Sequence, residues 1–95
     1  KTCSNIRRAQ AHKVPLAFGS DNYFSLESRD VSFGAATLSI LQRYSHCGLT
    51  PSEAITSATH IAAKTMGKEN TLGVLKKGAF ADLVVLRKNP GESLE

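Results

Sequence analysis

Asp21 is the residue in this chain best placed to do chemistry. It follows Gly19-Ser20 at the close of the apolar run Val14-Pro15-Leu16-Ala17-Phe18. A run of five residues that is apolar on both faces is too short for a helix and suits a buried strand of a parallel sheet. Pro15 is tolerated only near the start of such a strand. In parallel α/β proteins the carboxyl ends of the strands face the reaction site, so a carboxylate at this point can bind a metal or accept a proton. Asn22, Tyr23 and Phe24 follow directly and are candidates for substrate contact at the same mouth. Arg29 and Asp30 rank lower.

Other chemistry finds less support. His12, His46 and His60 share no ligand spacing such as His-x-His or i, i+4, and they read as helix-end or helix-face residues. Ser20 has no Gly-x-Ser-x-Gly elbow around it. Gly73 and Gly78 are not followed by Gly-Lys-Ser/Thr, so they form no phosphate loop. Asp82 reads as a turn or hydrogen-bonding residue. Cys3 and Cys47, the two cysteines of the chain, belong to no Cys-x-x-Cys and to no larger framework. They read as reduced thiols of a cytoplasmic protein, a disulfide between them being the alternative. Cys47 is expected to be a small packing residue.

The elements that must position Asp21 follow from periodicity. Ser4 to Lys13 reads as the end of a helix with Ile6 and Ala9 inward. A polar, aromatic-bearing loop covers Asn22 to Asp30. A helix runs from Phe33 to Cys47, with one stripe at Leu38, Leu41 and Ser45 and another at Ala36, Ile40, Tyr44 and Cys47. Gly48 stops it. Thr50-Pro51-Ser52-Glu53 is an N-cap, a proline at N1 and a capping-box glutamate. The helix they start is expected to continue to Met66 and to bury Ala54, Ile55, Ala58, Ile61, Ala62 and Met66. Leu72 to Gly78 reads as a short strand and turn. Ala81 to Leu86 reads as a second strand, closed by Asn89-Pro90-Gly91.

The chain has 95 residues, 41% hydrophobic and 21% charged, with a net charge of +4. That is an ordinary globular composition. No apolar stretch approaches the roughly 18 residues of a membrane span, and Lys1 to Arg8 has no apolar h-region. The cations fall in small groups separated by acids, and the six aromatics do not interleave with them. Nucleic acid is therefore not an expected partner. A lone parallel strand needs neighbours that nothing else here supplies. With Lys1 rather than Met at its start, the chain is expected to be a fragment or a processed product.

The segments Val14 to Asp21, Gly48-Leu49-Thr50-Pro51-Ser52-Glu53-Ala54, Ala58-Thr59, Ala62-Ala63 and Leu72 to Leu86 together resemble the C-terminal end of the amidohydrolase superfamily. Imidazolonepropionase-like, prolidase-like and cytosine-deaminase-like members share this layout. The resemblance implies an α/β fold: residues 1–70 as the last βα unit of a (β/α)8 TIM barrel, and residues 71–95 as a C-terminal β-hairpin of the accessory β-sandwich. It implies a metal-dependent hydrolase acting on a C–N bond of a cyclic or linear amide, or deaminating a heterocycle. The cofactor implied is one or two divalent metals, zinc first among them. Asp21 would be both metal ligand and proton acceptor, with Asn22, Tyr23 and Phe24 binding substrate. The family's His-x-His pair, lysine and two later histidines have no counterpart here, so this chain alone should be inactive. The partners implied are a small-molecule substrate and the remainder of the parent barrel, with no nucleic acid and no membrane; a homo-oligomer remains open. The alternative is a non-catalytic basic helical module that binds a protein or nucleic-acid partner.

Overall fold

The computed structural model describes residues 2–19 and 33–94. Four helices appear in chain order: α1 (Thr2–Ala11), α2 (Phe33–His46), α3 (Pro51–Ala58) and α4 (His60–Thr65). Helices α2 and α3 pack together, and α3 leads through a sharp break into α4.

The helix ends repeat one device. The Lys13 amide donates to the Gln10 carbonyl and the Val14 amide to the Ala9 carbonyl, both at 2.9 Å. The same pair of bonds closes α2 through Gly48 and Leu49, and closes α4 through Gly67 and Lys68. Each is a Schellman motif, which needs a left-handed residue just past the helix. Glycine fills that place at 48 and 67, whereas α1 uses Lys13 at φ 54°. At the start of α3 the capping box forms as expected. The Thr50 hydroxyl accepts from the Glu53 amide at 3.2 Å, and the Glu53 carboxylate accepts from the Thr50 amide at 2.7 Å.

The core lies where α1, the end of α2 and the start of α3 meet. Ile6, Cys47, Leu49 and Ala54 are buried there, with Cys3, Leu16, Leu41, Tyr44 and Leu94 packed against them. Ser57 and Ala63 are also buried. Tyr44 and Cys47 of one α2 stripe and Leu41 of the other face this core, while Leu38 points outward at 64% exposure.

Three expectations are corrected, and a fourth is not met among the described residues. First, the helix begun at Thr50 breaks at Thr59, which sits at φ −117°, ψ −90°. Tertiary contacts account for the break: the Phe18 amide bonds the Ser57 carbonyl, and Gly73 lies against the Thr59 backbone so closely that a Cβ there would collide with it. Second, Met66 is exposed rather than buried, because the redirected helix carries it off the core. Third, Cys3 and Cys47 are joined by a disulfide, with Cα atoms 4.8 Å apart. α1 and the end of α2 hold the two residues at bonding distance, which sequence spacing does not reveal. Fourth, neither the buried parallel strand nor the C-terminal hairpin forms among the described residues, which carry no ladder. A strand exists only by pairing, and the run 14–18 has no parallel neighbour to pair with.

The tail shows the same deficit. Gly78, at φ 89°, turns the chain as expected, with the Ala79 amide donating to the Lys76 carbonyl at 3.1 Å. The Phe80 amide reaches back to the Thr71 carbonyl at 2.9 Å. Beyond it, Leu83, Val84, Val85 and Leu86 are 57–88% exposed. The Asn89-Pro90-Gly91 turn closes on the Asn89 side chain, which accepts from the Gly91 amide at 3.0 Å. Gln42 of α2 then donates to the Leu94 carbonyl at 2.9 Å and brings the end of the tail back to the core.

Candidate functional site

Two anchors set the path of the chain as it approaches Asp21. The first is the α1 Schellman motif, which fixes where Val14 leaves the helix. The second is at Phe18. Its amide donates to the Ser57 carbonyl of α3 at 2.9 Å, and its ring packs on Tyr44 of α2, with centroids 5.8 Å apart and planes inclined by 60°. That tilted geometry and spacing suit an aromatic pair. Between the anchors, Leu16 packs against the core. The apolar run thus lies across α1, α2 and α3 and delivers Gly19 from a fixed direction.

Asp21, Asn22, Tyr23 and Phe24 lie outside the described residues, as do Ser20, Arg29 and Asp30. The structure therefore defines the approach to the expected site. Three contributors to that approach escaped the sequence reading. Ser57 was not singled out, because a serine inside an alanine-rich helix carries no signal; its hydroxyl is satisfied by the Ala54 carbonyl at 2.6 Å. Tyr44 was visible only as part of a stripe. Phe18 was read simply as one apolar residue of the run.

A cleft of about 450 Å³ lies beside the apolar run. Its walls include Val14, Pro15 and Leu16 of the run together with Glu53, Thr56 and Ser57 of α3, so it follows the run but stops short of Phe18. Chemistry in parallel α/β folds sits at the carboxyl end. Glu53, its carboxylate, is already engaged in the capping box. We do not assign this cleft to catalysis.

A metal does not fit the described residues taken alone. Among them no group of three or more His, Cys, Asp or Glu comes together. His12 follows α1, His46 ends α2 and His60 opens α4. Among the described residues no helix is long and apolar enough to cross a membrane.

Comparison with known proteins bears on this arrangement. The sequence matches the family described as the amidohydrolase family over residues 1–94. It is 34% identical to an imidazolonepropionase of Chromobacterium violaceum over 80 residues, which is 84% of this chain and 18% of that protein. It is 49% identical to an imidazolonepropionase of Symbiobacterium thermophilum over 41 residues, 43% of this chain and 10% of that protein. The chain thus spans less than a fifth of the length of these relatives. No solved structure matches it significantly.

Proposed function

Because this chain belongs to the amidohydrolase family, we propose that it is one part of a hydrolase that cleaves a C–N bond of a small cyclic or linear amide. The observation that carries the proposal is the family match across residues 1–94. In this reading residues 1–70 complete a TIM barrel and residues 71–95 contribute strands to a sandwich. The exposed run Leu83–Leu86 supports it: four consecutive apolar residues open on both faces suit a strand awaiting neighbours.

Asp21 holds the central role proposed for this chain. Its carboxylate would be one ligand of a divalent metal, zinc foremost, whose remaining ligands would come from outside the chain, and the bound metal would make water nucleophilic at neutral pH. The Asp21 carboxylate oxygen accepts the proton of the attacking water and returns it to the departing nitrogen. Asn22, Tyr23 and Phe24 line the mouth and hold substrate. Phe18, clamped by Ser57 and Tyr44, anchors the run that precedes Asp21 in the sequence.

The relatives' name directs the test. The full-length protein is assayed on imidazolonepropionate and on a panel of cyclic amides, with product followed chromatographically. The proposal expects metal-dependent ring opening of at least one substrate. Absence of turnover on all of them, by protein that is folded and loaded with metal, would contradict it.

A further inference from the structure

We propose that Cys3 and Cys47 form a thiol–disulfide exchange site, a reversible latch between the start of α1 and the end of α2, with a low-molecular-weight thiol/disulfide couple of the glutathione class as co-reactant. The inference does not depend on the hydrolase reading.

The two cysteines are unlike. Cys47 is wholly buried, at 0% exposure, within the cluster of Ile6, Leu49 and Ala54. Cys3 is only partly buried and stands in the first turn of the ten-residue α1. Of the two, Cys3 is the less buried and is the one an outside thiol can reach. Cys47 sits at the opposite kind of position, the C-cap of α2, closed by the Gly48 turn. Arg7, one turn along α1 from Cys3, donates its Nε to the Cys47 carbonyl at 3.1 Å. That bond holds the two helix ends in register when the sulfurs are apart. The geometry therefore makes Cys3 the exchanging sulfur and Cys47 the resolving one.

The chemistry balances without further reagents. The Cys3 thiolate attacks one sulfur of the small disulfide, forms a mixed disulfide and expels one small thiolate, which takes up a proton. Cys47 then gives up its proton and attacks the Cys3 sulfur. The Cys3–Cys47 bond forms and the second small thiol leaves. Two protein thiols are oxidised by two electrons, and one small disulfide is reduced to two thiols. Excess small thiol drives the sequence backward, again through Cys3.

The latch encloses chemistry as well as structure. The bonded residues are 44 positions apart, and the loop they close contains the run Val14–Phe18 and Asp21. Opening it leaves α1 tied to the end of α2 only by the Arg7 bond and the packing of Ile6, and so loosens the Lys13–Val14 exit that sets the path of that run.

The test uses the folded full-length protein, equilibrated in glutathione buffers from fully reduced to fully oxidised, acid-quenched, alkylated and digested with trypsin. Oxidation should join the peptide of residues 2–7 to that of residues 44–64, with glutathione transiently on Cys3, and reduction should separate them while the protein stays folded. The thermal midpoint should fall by about 5 °C on reduction. Cys3→Ser should behave like the reduced wild type and ignore the buffer. The proposal is overturned if the joined peptide never forms, if glutathione accumulates on Cys47 instead, or if the joined peptide resists reduction until the protein unfolds.

Discussion

Single residues in this chain carry obligations that can be tested one at a time. Gly73 holds φ 68°, and a Cβ there would meet the Thr59 carbonyl group and come within 2.9 Å of the His60 nitrogen. Backbone cannot yield as a side chain can. Gly73→Ala is expected to destabilise by about 3 kcal/mol, read as a shift in the urea midpoint. Lys13 is the opposite case. It occupies a left-handed position that glycine fills at the ends of α2 and α4. Lys13→Gly removes the side-chain penalty but frees the unfolded chain, so the net expected effect is a gain of about 0.5 kcal/mol. Thr50→Ala removes one arm of the capping box and should cost about 1 kcal/mol. That box was legible because all its parts lie within four consecutive residues.

Legibility in the sequence falls off as causes become distant along the chain. α1, α2 and the start of α3 follow from local periodicity and caps, and the structure holds them within a few residues of the expected bounds. The break at Thr59 was invisible, since its causes sit at Phe18 and Gly73, 41 and 14 positions away. The disulfide stays an alternative rather than an expectation for the same reason. Spacing alone cannot say that α1 folds back on the end of α2. The expected strands fail differently. Their residues are correct for strands, but a ladder needs a second strand. Amides of residues 83–86 should therefore exchange freely in the isolated chain and become protected in the full-length protein. Equal, rapid exchange in both would refute the proposed sandwich pairing. Of the candidate site, Asp21 is an expectation from residue type and position and lies outside the described residues. The clamp on Phe18 was not legible, because it depends on which carbonyl of α3 faces the run.

The whole molecule reads as a partly satisfied structure. Its radius of gyration is 14.3 Å, against about 12.4 Å for a compact chain of this length. Large apolar residues stand open at Leu38, Met66, Leu75, Phe80 and along 83–86. The disulfide braces the core that does form. A closed loop of this length contributes about 4 kcal/mol by chain entropy, comparable to what small cores supply. A chain of this kind, offering one proposed metal ligand, should bind zinc weakly by calorimetry. Tight one-to-one binding by residues 1–95 alone would show that a complete site exists within them.

The proposed hydrolase chemistry converges on the Asp21 carboxylate. The most direct measurement is kcat of the full-length Asp21→Asn variant on the best substrate found, beside its thermal midpoint. Loss of about 10³-fold or more in kcat, with an unchanged midpoint, is the predicted result. A variant that keeps near-normal kcat would contradict it.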